Sequence, residues 1–370
     1  MTADGRILID ARPLQGPDAV RGIGSYVRGL LAGMIEVGFD RRAALLIDAG
    51  LPAPELPRSD FVAFSVRPRY RGRLGLLEEA AILGRKLERI RPALYHATTL
   101  AQPSRSPVPL VVTLHDLIPW AIRSAWMRGE RARWWLGRRL LRRADLVLAV
   151  SEATAADAGR LAGVASSRLV VVPEGLAPGF RPAEGAPERV RERWGLDRPY
   201  LLYVGSLDIR KSPWSLPRVL AEARRAGADV DLVLAGEAGP QAPRDVGPAR
   251  RLGYLEHADL VDVYSAAACL VFPSRYEGFG LPLLEAMGCG CPVVAYRNSS
   301  LPEVAGDAAV LVEDGDAQAL GRAAAEITTD PRRAAELRRR GLEQARRFTW
   351  RRTASATIAA YESLLSRVGP

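Results

Sequence analysis

Cysteine and long apolar runs are scarce in this chain, and each scarcity removes a class of protein. The three cysteines, Cys269, Cys289 and Cys291, are an odd number and too few for a disulfide framework. Cys289 and Cys291 form a CxC pair without the second pair or nearby histidine that a zinc site needs. They read as small buried residues at a helix end. No apolar run approaches the ~20 residues that cross a bilayer. The start, "MTADGRILIDARP", has no basic-then-apolar signal layout, so a cytoplasmic protein is expected. No GxxxxGK(S/T) occurs, which excludes a P-loop nucleotidase.

What is present fits a globular protein. The chain has 370 residues, 48% apolar and 25% charged, a size that calls for more than one domain. Its net charge of +10 is mostly local. Residues 121–143 hold eight arginines against one glutamate, a balance of +7. The remainder is nearly neutral, so a general polyanion- or nucleic-acid-binding protein is not indicated.

Apolar strand-like runs alternate with helical stretches from end to end. The first half gives "RILID", "ALLID", "DFVAFSV", "ALYHA", "PLVVTLHD", "DLVLAVS" and "RLVVVPEG". The second gives "YLLYVG", "DLVLAG", "RRLGYL", "ACLVFPS", "PVVAY" and "AAVLVE". Continuous rather than alternating runs indicate strands covered on both faces, joined by right-handed βαβ crossovers. The reading is α/β: two doubly wound, Rossmann-like domains facing across a cleft. A Pro-, Gly- and charge-rich hinge is placed at about residues 176–197. The domains are drawn as 1–180, 181–347 and a C-terminal helix, 348–370, packing back toward the first.

Three stretches carry candidate chemistry. Gly22 and Gly24 in "VRGIGSYV" resemble the start of a dinucleotide fingerprint, but Val27 stands where its third glycine belongs. A tight turn needing positive φ and a close backbone approach to a ligand both remain open. "YVGSLDIRK" runs from a strand through Gly205 to Arg210 and Lys211. Such adjacent cations suit a diphosphate, unless they are a solvated turn. In "YEGFGLPLLEAMGCG", Glu277 precedes a glycine-rich bend and Glu285 follows on a helix that Pro282 opens. The pair can reach different parts of one extended ligand, or Glu285 can simply favour the helix dipole.

Taken in order, "RGIGSY", "TLHDLIP", "VSE", "YVGSLDIRK", "LGYL", "EGFGLPLLE" and "NSSLPEVAGDAA" resemble the retaining glycosyltransferases of family 4, of GT-B fold. The motif style is nearest to bacterial polysaccharide mannosyltransferases. The resemblance implies a nucleotide-sugar donor, with GDP-mannose the first candidate, and retention of anomeric configuration. It implies an acceptor hydroxyl on a carbohydrate, a lipid-linked molecule or a small molecule, and no cofactor or metal. It places Glu285 on ribose, Glu277 and His115 by the transferred sugar, and Arg210 and Lys211 on the diphosphate. Backbone from Gly278 through Phe279 and Gly280 to Leu281 would meet sugar and phosphate, Gly24 would lie beside the diphosphate, and Tyr254 and Leu255 would border the base. The acidic pairs Asp229/Asp231 and Asp314/Asp316 mimic a metal-binding DxD but need no metal. A sugar-nucleotide epimerase, a glycoside hydrolase and a polyanion-binding module are the rival readings. The arginine-rich segment, with Trp126, Trp134 and Trp135, suits anionic lipid headgroups; its apolar residues can equally pack inward.

Overall fold

The computed structural model describes the chain except residues 1–2, 4, 17–18, 20–21, 56–58, 68–71, 123, 125–126, 239–245 and 369–370. Trp126 therefore lies outside the described residues. Every apolar run quoted above contains a strand. In the first half these are β1 (Ile7–Asp10), β2 (Ala43–Asp48), β3 (Val62–Val66), β4 (Leu94–Ala97), β5 (Leu110–Leu114), β6 (Leu146–Ala149) and β7 (Leu169–Val171). In the second they are β8 (Tyr200–Val204), β9 (Asp231–Ala235), β10 (Ala249–Gly253), β11 (Cys269–Phe272), β12 (Val293–Tyr296) and β13 (Val310–Val312).

The strands form two parallel sheets, ordered β3-β2-β1-β4-β5-β6-β7 and β10-β9-β8-β11-β12-β13. Each order reverses once, between β1 and β4 and between β8 and β11. At such a point neighbouring loops diverge and leave a crevice at the carboxyl ends of the strands. The chain divides into two compact units, residues 1–175 with 349–370, and residues 176–348.

The last helix, Trp350–Val368, is thus a member of the first unit. It lies against the helix Gly22–Glu36 because Gly29 and Gly33 leave a groove for it. A Cβ on Gly29 would stand 2.0 Å from the Trp350 ring, and one on Gly33 2.2 Å from the Trp350 carbonyl oxygen. Farther along, Tyr361 Oη is 2.6 Å from His96 Nδ1, and His96 Nε2 is 2.7 Å from Thr113 Oγ1. Tyr26 Oη meets the same threonine oxygen at 3.0 Å. All four side chains are buried, so the relay fixes the helix to the middle of the sheet.

This relay has a pH signature. Burial holds the His96 ring neutral down to about 3, whereas the unfolded chain protonates it near 6.5. Unfolding therefore takes up a proton, and stability falls as pH drops below 6.5. The melting temperature is expected to decline between pH 6.5 and 5, and less so in His96→Gln. Equal declines in the two proteins would contradict this.

Candidate active site

In the second unit the candidate residues gather at the β8/β11 reversal. After β8 the chain passes Gly205 and enters a single turn, Ile209–Lys211, capped by Asp208, whose Oδ1 accepts the Lys211 amide at 3.1 Å. Ser212, at φ 51, ends the turn in the left-handed region. This short turn aims both cations at the loop after β11. Arg210 Nη1 is 2.8 Å from Glu277 Oε2, and Lys211 Nζ is 2.8 Å from Glu277 Oε1. Arg210 also donates to the Tyr276 carbonyl at 3.0 Å. Lys211 lies 4.8 Å above the Phe272 ring centroid and is only 7% exposed.

The Glu277 carboxylate is equally enclosed; one serine bonds it and two more hold the residue's backbone. Ser274 Oγ donates to Oε1 at 2.5 Å, Ser299 Oγ accepts the Glu277 amide at 2.9 Å, and Ser300 Oγ donates to its carbonyl at 3.1 Å. Burial by itself would raise the carboxyl's pKa. The charges of Arg210 and Lys211, with hydrogen bonds from Lys211 and Ser274, outweigh it and hold the group down at about 2. Burial lowers the pKa of Lys211, and Glu277 opposes that fall. The result is a buried cluster in which Glu277 contacts both cations and Asp208 Oδ2 stands 3.9 Å from Arg210 Nη2.

Around it, Gly280 adopts φ +108, a conformation that lets the bend turn directly into the helix Leu281–Gly288. The amides of Leu283 and Leu284 already bond the Gly280 carbonyl, at 3.1 and 3.3 Å. What this helix start presents to a ligand is therefore limited to the loop from Gly278 to Leu281. Phe279 offers only its backbone, because its ring is buried against Phe348 at 5.7 Å. Glu285, half-buried on the helix, accepts a 3.1 Å hydrogen bond from Tyr264 Oη. Tyr254, 52% exposed, and the half-buried Leu255 follow β10.

In the first unit, the carboxyl end of the sheet carries its own constellation. His115, just after β5, has Nδ1 3.3 Å from Glu174 Oε1 and Nε2 3.1 Å from the Thr98 carbonyl. The Tyr26 ring meets it edge-on at 4.7 Å between centroids. Tyr26 sits in the second turn of the helix that begins at Gly22, which brings Gly22 and Gly24 to this end. Neither glycine has positive φ, which corrects the tight-turn reading: both are the first turn of a helix. At the foot of the reversal, Asp10 is clasped by Arg12 and accepts from Tyr95 Oη at 3.1 Å.

Sequence reasoning named the charged residues but missed what joins them. Glu277 and the Arg210–Lys211 pair were separate motifs with separate tasks; in the folded unit they are one cluster. Ser274, Asp208 and Glu174 were not singled out, although each stands within four residues of a strand's carboxyl end, the position that marks them. The DxD-like pairs are structural. Asp229 and Asp231 both pair with Arg198, and Asp316 caps a helix by accepting the Ala319 amide at 2.9 Å.

Comparison with known proteins identifies the family and the fold. Residues 20–180 match the model described as Glycosyltransferase Family 4, and residues 186–348 the model described as Glycosyl transferases group 1. The MMP alpha-(1->4)-mannosyltransferase of Mycolicibacterium hassiacum is 32% identical over 298 residues, covering 73% of this chain and 69% of that protein. The O-antigen chain mannosyltransferase B of Escherichia coli is 33% identical over 240 residues, covering 60% of this chain and 61% of that protein. The match thus spans about three-fifths of that relative's length. Among solved structures, sucrose-phosphate synthase from Thermosynechococcus elongatus superposes with a TM-score of 0.78 at 23% identity, covering 98% of this chain and 99% of that one. That likeness gives the fold, GT-B with its two Rossmann-like domains. With both halves matched in order and a mannosyltransferase aligned over most of its length, the chain belongs to the family 4 (group 1) glycosyltransferases.

Proposed function

We propose that the protein transfers a hexose, mannose first among the candidates, from a nucleoside-diphosphate donor to an acceptor hydroxyl, with retention of anomeric configuration. The observation that carries this is the enclosed Arg210–Lys211 pair at the β8/β11 reversal, with Glu277 as its counter-charge. Two preorganised cations are what a departing diphosphate requires, since negative charge grows on it as the glycosidic bond breaks. Arg210 and Lys211 supply that positive charge themselves, so activity is expected to persist in excess EDTA. The mannosyl preference is supported by the two relatives named above, and GDP-mannose is the donor it implies.

The roles proposed are those that the family resemblance implies. Lys211 and Arg210 neutralise the leaving group. Glu277 holds both cations in place and borders the sugar. Glu285 accepts ribose hydroxyls, and Tyr254 and Leu255 border the base. His115 is held by Glu174 and Thr98 at the carboxyl end of the first unit's sheet. The leaving phosphate oxygen takes the acceptor's proton on the same face, which preserves configuration. A retaining hydrolase would instead need a protonated carboxyl as its acid. Glu277, held ionised by two cations, is unsuited to that part.

A thermal-shift panel of GDP, UDP, dTDP and ADP tests the reading. A cognate nucleotide at ~100 times its Kd stabilises by ~2.7 kcal/mol; absence of any shift would remove the donor assignment. Glu285→Ala is expected to weaken the free nucleoside diphosphate by about ten- to a hundred-fold, the range for hydrogen bonds to a charged group. Unchanged nucleotide affinity would detach Glu285 from ribose. An α-linked product from an α-linked donor, read by NMR, checks retention.

A further inference from the structure

Glu174, three residues beyond the end of β7, is a buried carboxylate that the chemistry above gives no task of its own. It is 4% exposed, and among the described residues its side chain bonds His115 alone, with Oε1 3.3 Å from Nδ1. Taking a carboxylate out of water is costly, and a single imidazole offsets little of that cost. An apolar side chain of similar size would fill the space with less loss of stability. Packing therefore does not account for Glu174, whereas its effect on His115 does.

The His115 ring is held on three sides by residues from three other segments. Nε2 is 3.1 Å from the Thr98 carbonyl, just beyond β4. A carbonyl oxygen only accepts, so Nε2 carries a hydrogen and donates it. With Nε2 so assigned, the neutral ring would turn the lone pair of Nδ1 toward a carboxylate oxygen. That contact attracts only when a proton lies between Nδ1 and Oε1. On the third side is the Tyr26 ring, edge-on at 4.7 Å and itself tied to Thr113 at 3.0 Å. The His115 side chain is left 16% exposed, and neither ring nitrogen keeps a lone pair free for a substrate proton.

We propose that Glu174 is a positioning residue, which locks the His115 ring in one orientation with both nitrogens engaged. The ring then meets the transferred sugar as a fixed polar wall and cannot serve as the base for the acceptor hydroxyl. That task is left to the leaving phosphate oxygen. The assignment rests on the reading that puts His115 by the sugar, but the ring's restraint does not. A ring released by loss of Glu174 can turn away, and a misplacement of about 1 Å costs about a hundred-fold in rate.

The first test needs no substrate. The chain has three histidines, so NMR of protein labelled with 15N-histidine follows each ring, and His115→Ala identifies the signals of His115. In the parent, the His115 Nε2–H is expected as a sharp resonance protected from exchange with water. Glu174→Ala should remove it, and Glu174→Gln should keep it, because the amide nitrogen donates to Nδ1 in place of the shared proton. A resonance equally sharp in Glu174→Ala overturns the inference, whatever the donor is. The second test follows GDP release from GDP-mannose with water as the acceptor. Glu174→Ala should lower the rate about a hundred-fold, Glu174→Gln should recover most of that loss, and affinity for free GDP should not change. Combined with His115→Ala, Glu174→Ala should add less than about two-fold, as expected when one residue acts only through the other. A larger further loss, or a fall in GDP affinity, gives Glu174 a separate or general structural role and overturns the inference. Undiminished release by His115→Ala removes His115 from the sugar and the inference with it. If the parent releases no GDP, the donor reading fails, and the ring resonance alone decides for or against Glu174.

Discussion

Lys211→Met is expected to lower turnover by about 100- to 1,000-fold, the range for losing one preorganised donor to developing charge. Methionine keeps an unbranched stem over Phe272 and removes only the ammonium, and Glu277 retains Arg210 and Ser274 as partners. The melting temperature should therefore move little while kcat collapses. The asymmetry is the informative part. A structural ion pair would lose stability and keep its rate. Steady-state kinetics beside thermal unfolding separate the cases, and wild-type turnover in this variant would end the assignment of Lys211 to the diphosphate.

Glu277→Ala should behave in the opposite sense. It removes the one carboxylate that contacts both cations directly, leaving Asp208 3.9 Å from Arg210 and Lys211 buried. Removing one partner of a buried ionic cluster costs about 3–5 kcal/mol, so the variant should melt well below the parent. A nucleoside diphosphate brings the missing negative charge. Its stabilising effect should consequently be larger in the variant than in the parent, even though use of the sugar donor is impaired. The same logic sets an acid limit. The folded carboxyl titrates at about 2 against an unfolded value near 4.5, so its contribution is complete above pH 4.5 and is lost as pH falls toward 2. A variant as stable as the parent, or a smaller gain from the nucleotide, would show that Glu277 does not neutralise the cations.

The strands were legible because most are short β-rich runs between turn residues, with the central ones buried on both faces. "DLVLAVS" and "DLVLAG" end within two residues of the ends of β6 and β9. The charged positions were legible too, because glycine and proline punctuate the loops around them. Less visible was anything that depends on two distant segments meeting. Nothing near Glu277 announces that its oxygens will be shared between residues 66 and 67 positions earlier in the chain. That follows from β8 and β11 being neighbours, a property of strand order rather than of local pattern. Nothing in the sequence around His96 signals its role, because its partners, Thr113 and Tyr361, come from other elements, one of them 265 residues away. The arginine segment needed a helical register before its two faces could be told apart. Gly22 and Gly24 were misleading for a related reason: a GxG reads as a turn, yet here it opens a helix.

The first unit is interrupted, and this bears on how the chain is made. Leu176 donates to the Phe348 carbonyl at 3.0 Å, so the second unit leaves and returns at one place, and the first is finished only by the helix Trp350–Val368. During synthesis at ~5–20 residues per second, residues 1–175 emerge well before that helix. For something like ten to thirty seconds the groove at Gly29 and Gly33 and the hydroxyl-lined face around His96 lack their cover. The second unit, by contrast, is continuous in the chain. The half of the protein made first is thus the half completed last, and a stop codon just before Trp350 would leave an intact second unit joined to a first one that never matures.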